Sequence, residues 1–272
     1  MLILAATPIG NLGDASRRLI EALEAAPVIA AEDTRTAQRL LAALGIENRP
    51  RLIALHDHNE KERAPELARL AAESDVLVLS DAGMPTVSDP GYGAVAAAVA
   101  AGVAVTVIPG PSAVPTALAL SGLPTDRFTF EGFVPRKPGD RRRTLAQLAD
   151  ERRTMVFFEA PSRIAVTLAA MAEAFGADRA AAVCRELTKL HEEVRRGPLG
   201  DLARWAEDGV RGEIVVVVEG APERNVDPAE ALDRVLALVA GGARLKDAAR
   251  DVASVTGLAS RDLYDAALAH KR

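Results

Sequence analysis

The sequence predicts an α/β protein: two α/β domains, residues 1–120 and 121–221, followed by a small helical, helix-turn-helix-like extension over 222–272. Three observations carry this prediction. Short apolar runs of strand length alternate with stretches whose apolar residues recur at helical spacing, the pattern of a largely parallel sheet with crossover helices. The alternation changes after Leu120, where a β-type segment and a Pro/Lys/Gly loop intervene before it resumes. From Ala221 onward only helical patterning remains. A length of 272 residues is about twice the commonest domain size, so two medium domains are the natural division.

Residues 2–6 are an apolar run ended by Thr7-Pro-Ile-Gly-Asn-Leu-Gly-Asp14, dense in turn formers, and read as a first strand and its loop. Residues 15–26 set Leu19, Ile20 and Leu23 at helical spacing, and 27–31 form a second strand. Asp33 or Thr34 can N-cap a helix running to Leu44, where Gly45 supplies the stop. Strands over 51–55, 75–80 and 103–108 and helices over 60–72 and 91–101 continue the alternation, and a helix follows Pro111-Ser112 to about Leu120. In the second domain 128–134 alternates as a strand and 135–140 reads as a linker-like loop. Strands over 154–159, 179–186 and 213–219 follow, with helices at about 161–175 and 199–207. Glu213-Ile-Val-Val-Val-Val-Glu219 is apolar without alternation, as expected of a strand covered on both faces. A polar connector, 222–228, leads to helices over 229–240, 245–256 and 260–270, the last two with helix-turn-helix proportions around Gly257-Leu258. Residues 241–272 hold six basic and four acidic residues, too mild an excess to establish contact with nucleic acid.

Composition excludes several classes. Hydrophobic residues at 49% and charged residues at 26% describe a globular chain, not a disordered, collagen-like or coiled-coil one. The single cysteine, Cys184, rules out an internal disulfide or a multi-cysteine metal cluster and reads as a reducing cytoplasm. The longest apolar run, 94–108, is interrupted by Gly102 and is shorter than the roughly 20 residues that span a bilayer. The first residues lack the basic region of a signal peptide, so no membrane association is expected. A net charge of −5 argues against a uniformly basic nucleic-acid module but leaves room for a local basic patch. The bias of 28 Arg to 5 Lys fits a GC-rich genome and is not itself a function.

The most informative stretch is Leu79-Ser-Asp-Ala-Gly-Met-Pro-Thr-Val-Ser-Asp-Pro-Gly-Tyr92, a long loop at the end of an apolar strand, where function concentrates. Asp81 and Asp89 lack the His or Cys partners of a transition-metal site, and Mg²⁺ would need phosphate or further carboxylates. Backbone groups freed by Gly83 and Gly91 can instead grip a small polar ligand. Segments 107–113 and 157–163 echo each other: a strand ends, a Pro-Ser pair follows and a helix begins. Helix-start preferences account for that echo as well as duplication does, and either way both loops lie where α/β proteins place their sites. The Gly-x-x-x-x-Gly-Lys-Ser/Thr phosphate loop is missing, and the glycines at 10, 13 and 110 do not form Gly-x-Gly-x-x-Gly. His56-Asp-His58 has no third metal ligand nearby, and no Gly-x-Ser-x-Gly elbow appears, so no metal is expected and Ser-His-Asp catalysis is unsupported.

Three polar constellations remain. Glu32, Asp33 and Arg35 lie between a strand and a helix, where helix capping with a solvated ion pair competes with a chemical role. Arg136, Lys137, Arg141, Arg142 and Arg143 put five positive charges within eight residues, a candidate grip on phosphates. The third is the segment Arg185-Glu-Leu-Thr-Lys-Leu-His-Glu-Glu193. Nine aromatic residues leave little for extensive base stacking.

Six blocks in order along residues 1–220 resemble the signature blocks of a ribosomal RNA small-subunit methyltransferase family. That family lies within the tetrapyrrole methylase-like (class III) S-adenosylmethionine-dependent enzymes. The blocks are Thr7-Pro-Ile-Gly-Asn-Leu-Gly-Asp14, Ala31-Glu-Asp-Thr-Arg-Thr36, Ser80-Asp-Ala-Gly-Met-Pro-Thr-Val-Ser-Asp-Pro-Gly91, Ile108-Pro-Gly-Pro-Ser-Ala113, Phe158-Glu-Ala-Pro-Ser-Arg163 and Arg185-Glu-Leu-Thr-Lys189. The final helices resemble the family's helix-turn-helix extension. The resemblance implies two α/β domains with the methyl donor in the cleft between them, and a homodimer. It also implies methyl transfer to the ribose 2′-oxygen of a cytidine in the decoding region of 16S ribosomal RNA, either free or in the assembled subunit. Carried over by position, the donor pocket would involve Pro8, Asp81, Gly83, Met84, Val87, Ser88, Ser112, Ala113, Phe158, Leu187 and Glu213. A donor without phosphates agrees with the missing phosphate loops.

In-line displacement at a sulfonium methyl draws much of its rate from alignment, and the poorly nucleophilic 2′-hydroxyl calls for a base or a cation beside the developing alkoxide. Glu32 or Asp33 is the expected proton acceptor, while Arg35, Arg185 or Lys189 orients the nucleotide. Two other readings stay open. A tetrapyrrole-precursor methyltransferase would share the fold without evident need for the 136–143 cluster or the last helices, and a non-catalytic RNA-binding protein would keep those and lose the donor pocket.

Overall fold

The computed structural model describes residues 1–222 and 227–270, and the chain divides into two compact units, Met1–Gly220 and Ala221–Arg272. The first unit contains two five-stranded sheets. Strands β1 (Leu2–Ala5), β2 (Val28–Ala31), β3 (Arg51–Ala54), β4 (Val76–Leu79) and β5 (Val105–Ile108) form the first, in the order β3-β2-β4-β1-β5 and parallel throughout. Successive residues of a strand face opposite sides, so each strand feeds two cores. Ala5, Ile29 and Leu77 pack under Leu19 and Leu23 of α1 (Arg17–Ala25) and Leu41 of α2 (Thr34–Ala43). Leu2, Ala30 and Val78 pack under Leu67 of α3 (Glu60–Glu73) and Ala94 of α4 (Tyr92–Ala100).

That division of helices creates the site. Neighbouring strands β1 and β4 send their following helices, α1 and α4, to opposite faces, so the loops leaving them part and open a crevice at the strand C-termini. Thr7 and Gly83 bridge the two loops at its base, with N–O distances of 2.9 and 3.1 Å.

The helix after β5, α5 (Ala113–Ser121), leaves the first sheet and packs Val114, Ala117 and Leu118 on the second, against Ala182, Cys184, Val215 and Val217. That sheet contains β6 (Phe128–Phe133), β7 (Thr154–Glu159), β8 (Ala180–Arg185), β9 (Glu193–Pro198) and β10 (Ile214–Val218) in the order β6-β7-β10-β8-β9. Only β6 and β7 run parallel; the other pairs are antiparallel. Its second face carries Met155, Phe157, Val183 and Val216 under α6 (Pro138–Gln147), α7 (Ile164–Phe175) and α8 (Leu199–Ala206). Central β10 is buried along its whole length, as its uninterrupted apolar run requires.

Two elements depart from the sequence reading. Strand β9 is an edge strand of Glu193, Arg195 and Arg196 with Val194 as its apolar contact, and charged edges hide the strand pattern. The expected loop over 135–140 runs into α6, because Pro138 occupies the first helical turn, where its missing N–H costs nothing.

The second unit packs α9 (Pro228–Ala240), α10 (Leu245–Thr256) and α11 (Ser260–His270) around Ala231, Val235, Ala248, Val252 and Leu263. Asp227 caps α9 by accepting from Ala229 N at 2.9 Å, and Gly257 ends α10 at φ 75°. Residues 223–226 of the expected connector, with Lys271 and Arg272, lie outside the described residues. Among the described residues no helix is long and apolar enough to cross a membrane.

Candidate active site

A cavity of about 390 Å³ opens at the crevice. The first sheet contributes Ile9 from the loop after β1, Gly83, Met84, Val87, Ser88 and Asp89 from the loop after β4, and Ser112 and Ala113 at the start of α5. From the second sheet come Phe133, Phe158 to Pro161, Leu187, and Glu213 to Val215. Phe158 is packed edge-on by Phe130 and Phe133, with centroids 4.9 and 5.7 Å away.

Backbone strain marks the same place. Among the described residues, four non-glycines have positive φ: Thr86 at 75°, Ser88 at 64°, Glu186 at 51° and Thr188 at 66°. They bracket Val87 and Leu187, and both bracketed residues line the cavity. Such conformations cost roughly 1–3 kcal/mol each and survive only where the surroundings over-determine them. The surroundings here do so. Glu60 Oε1 accepts from Gly91 N at 2.7 Å and Gly93 N at 2.8 Å, anchoring the far end of the β4 loop. On the other side Thr188 N donates to Glu192 at 2.7 Å, and Lys189 Nζ bridges Glu186 at 2.9 Å and Glu213 at 3.1 Å. Glu186 also accepts from Glu213 N at 2.9 Å. A Cβ on Gly212 would collide with the Glu186 side chain, and one on Gly10 with the Lys189 stem, so both glycines make room for this latch.

Beside the cavity, carboxylates gather at the ends of β2, β3 and β4. Burial pushes the Glu32 carboxyl up, helped by the charges of Asp81, Asp57 and Asp33 and opposed by the bond it accepts from Asp81 N at 3.2 Å. The Arg35 guanidinium holds Asp33 down at about 2, forking onto both oxygens at 3.1 and 2.8 Å. Asp89 is pushed up to about 7 by burial and by Glu32, Asp81 and Asp57, against a hydrogen bond from Ser80.

Of the donor-pocket residues expected from sequence, Gly83, Met84, Val87, Ser88, Ser112, Ala113, Phe158, Leu187 and Glu213 are brought together around the cavity. Pro8 and Asp81 are not among its lining residues. Pro8 lies between bridged Thr7 and lining Ile9, and Asp81 turns its carboxylate to Asp33 N at 3.2 Å, tying two loops together. Sequence reasoning passed over Ile9, Phe133, Glu159, Pro161 and Val215 as lining residues and left Asp89 without a place in the pocket. Glu159 and Pro161 sat in plain view inside the block 158–163, whereas Phe133 and Val215 carry only an ordinary strand signal.

The expected catalytic residues are largely paired. Asp33 caps α2 through Arg35 N at 2.8 Å, Arg185 Nε meets Glu193 Oε2 at 2.6 Å, and Lys189 forms the latch. The expected phosphate grip is a helix start and not a loop. Arg136, Lys137, Arg142 and Arg143 are exposed there, but Arg141 is 9% exposed with its Nε unpartnered, because the fourth position of α6 faces inward. Among the described residues no group of three His, Cys, Asp or Glu side chains could hold a metal ion; the His56 and His58 rings lie 6.1 Å apart.

A switch-point cavity between two sheets, apolar on its walls and acidic at its rim, defines an α/β protein with a small-molecule site where such folds place theirs. The chain belongs to the tetrapyrrole methylase family of S-adenosylmethionine-dependent methyltransferases. The family model for Tetrapyrrole (Corrin/Porphyrin) Methylases matches residues 1–203, and that for the RsmI C-terminal HTH domain matches residues 225–271. Ribosomal RNA small subunit methyltransferase I of Mycobacterium bovis is 52% identical over 100% of this chain and 95% of its own length. The proteins of the same name from Xylella fastidiosa and Escherichia coli O157:H7 are 46% and 42% identical, covering 97% and 98% of this chain and 97% and 94% of theirs. Among solved structures the fold is shared with the methyltransferase CobJ, with TM-score 0.61, 22% identity, and 84% of this chain and 97% of that one covered. Diphthine synthase shares it with TM-score 0.59 and 19% identity, over 80% and 89%.

The residues present fit the donor. Ile9, Val87, Phe158 and Leu187 offer apolar faces to an adenine, and the acidic lining of Asp89, Glu159 and Glu213 suits a ligand that carries positive charge. Gly83, at φ 83° and with a Cβ position 3.2 Å from Ile9 Cγ2, lets the β4 loop pass close to Ile9 while its N–H and C=O stay paired with Thr7.

Proposed function

We propose that this enzyme methylates the ribose 2′-oxygen of a cytidine in the decoding region of 16S ribosomal RNA. The observation that carries the reading is likeness along the whole chain, helical unit included, to relatives named for ribosomal RNA of the small subunit. A tetrapyrrole precursor gives no reason for the exposed Arg136, Lys137, Arg142 and Arg143 at the head of α6, which suit phosphates.

S-adenosylmethionine, when bound, supplies a methyl group on a positively charged sulfur. The chain's own residues supply position, dryness and a proton acceptor. Val87 and Leu187, each fixed between two strained residues, grip the ligand from opposite sheets, and Gly83, Met84, Ser88, Ser112, Ala113, Phe158 and Glu213 complete the donor pocket. Asp81, through Asp33 N, and Pro8, next to bridged Thr7, hold the loops that carry it. Glu32 takes the proton of the 2′-hydroxyl as the new oxygen–carbon bond forms and the carbon–sulfur bond breaks, the electron pair staying on the sulfur. Its raised carboxyl suits that task better than Asp33, whose oxygens Arg35 occupies. Arg35, Arg185 and Lys189 act as positioning residues through their carboxylate partners, and Arg141 supports α6 from within.

On this reading each of the expected domains, 1–120 and 121–221, is built on one of the two sheets, with α5 of the first packed on the sheet of the second. The enzyme acts in the cytoplasm as a homodimer, for which exposed Tyr92 and Val99 on α4 and Val107 on edge strand β5 offer an apolar surface. The test is mass spectrometry of ribosomal RNA from a deletion strain: one ribose methyl is lost and returns with the wild-type gene but not with Glu32→Ala. Unchanged modification overturns the reading. Assaying naked RNA beside assembled subunits identifies the substrate form.

A further inference from the structure

Three carboxylates line the cavity, and two are spoken for. Glu159, 3% exposed, accepts from Thr167 Oγ1 at 2.6 Å and Ala160 N at 2.8 Å and meets Arg163 at 3.4 Å. Glu213 is paired with Lys189. Asp89 has neither a lysine nor an arginine partner among the described residues. Its one side-chain partner, the Ser80 hydroxyl, lies also 3.2 Å from Gly83 O and has a single proton for the two acceptors. The charged groups around it, Glu32, Asp81 and Asp57, come from the loops after β2, β4 and β3, and all are acidic. A half-buried carboxyl group crowded by others of its own sign either keeps its proton or pairs with a cation brought into the open cavity beside it.

We infer that Asp89 is the counter-charge by which this pocket distinguishes the methyl donor from its spent product. The inference rests on the donor reading above and adds a specificity to it. S-adenosylmethionine carries a sulfonium and an ammonium, and S-adenosylhomocysteine keeps only the ammonium. The two share every other group. A pocket built from apolar walls and neutral hydrogen bonds alone holds both equally, and product then lingers where donor must enter. An unpaired carboxylate favours the ligand with the extra positive charge, as charge complementarity does at other interfaces.

Calorimetric titration of both ligands into wild type, Asp89→Asn and Asp89→Glu tests this. Asp89→Asn weakens S-adenosylmethionine about tenfold, the scale of one charge pair at a partly screened site, and S-adenosylhomocysteine by less than about threefold. Asp89→Glu restores most of the preference. Equal weakening of both ligands, or of neither, overturns the inference. Failure of the wild type to bind S-adenosylmethionine instead overturns the donor reading, so the two failures are distinct. Should the Asn variant not fold, the wild type decides alone: its preference for donor over product rises between about pH 6 and pH 7.5 as the carboxylate ionises, and a flat ratio counts against the proposal.

Discussion

In the ligand-free protein, Asp89 has to make the fold less stable as pH rises, and Asp89→Asn should abolish that loss. The carboxyl is pushed from 3.8 to about 7, chiefly by burial and then by Glu32, Asp81 and Asp57. Between those values the native state keeps a proton that the unfolded chain has released. The stability contributed by the neutral form is therefore complete below 3.8 and is lost as pH rises through about 7. At roughly 1.4 kcal/mol for each tenfold change in proton affinity the whole effect is about 4 kcal/mol, which screening at a partly exposed group cuts to about 1–2 kcal/mol. That loss falls between the ordinary carboxyl range and about pH 7, so the wild type should lose about 1 kcal/mol relative to the variant between pH 4 and pH 8. Asp33 and Glu151, both held at about 2 by hydrogen bonds from Arg35 and Arg153, act with the opposite sign. Their contribution is present above the ordinary carboxyl range and is lost only as pH falls toward 2, outside the window. Glu32, raised for the same reasons as Asp89, adds to the decline in both proteins. The assay is urea unfolding followed by the fluorescence of Trp205, the single tryptophan, which sits on α8 in the same compact unit. Wild-type and variant curves that stay parallel from pH 4 to pH 8 would refute the placement of Asp89 among its acidic neighbours.

Four further outcomes follow from the geometry. Glu32→Gln should slow single-turnover methylation by about 100-fold or more while calorimetric donor affinity stays near wild type; a full rate removes Glu32 from the mechanism. Gly212→Ala, strained at φ 91° and colliding with Glu186, should dislodge the Glu186–Lys189–Glu213 latch. It should cost about 1–3 kcal/mol in urea unfolding and weaken donor binding, whereas Gly209→Ala, equally at positive φ but with open space around it, should cost less and leave binding unchanged. Reversing Arg142 and Arg143 to Glu should lower RNA affinity and flatten its salt dependence by about two phosphate contacts, read by filter binding across a salt series. Arg141→Ala, at a buried position, should show itself first as a loss of about 1–3 kcal/mol of stability.

Most of the fold was legible because it rests on local periodicity. The strand of Ile214 to Val218 betrays burial on both faces by its composition alone, and Gly45 and Gly257 end helices where their chain positions say they should. The site was legible as a set of loops but not as a set of bonds. Asp33 shows why: capping and chemistry were equal readings of the same residues, and only the fork from Arg35 decides between them. Arg185 meets Glu193 because hairpin register sets them opposite each other, and register between two strands cannot be read when the second strand is masked by its charges. Arg141 differs from Arg142 and Arg143 only in helical phase, which a segment taken for a loop does not possess. Asp81 and Asp89 share one loop and one side-chain chemistry; that the first braces Asp33 and the second faces the cavity depends on the positive φ of Thr86 and Ser88, which no propensity of Thr or Ser foretells.

The placement of α5 explains how so small a cavity is kept at one width. Ser112 and Ala113 line it at the start of the helix, while Val114, the next residue, and Ala117 and Leu118, about one turn further on, lie buried against β8 and β10 of the other sheet. Strand β10 in turn supplies Ile214 and Val215 to the cavity's far wall, where Glu213 just precedes it. The two walls are therefore joined through one short helix that belongs to the first sheet by sequence and to the second by packing. A close-packed connection of this kind does not deform continuously. The strained tripeptides 86–88 and 186–188 then set the outline of a pocket whose span is already fixed, and discrimination falls to what lies on its rim: the latch at Lys189 on one side and the unpaired Asp89 on the other.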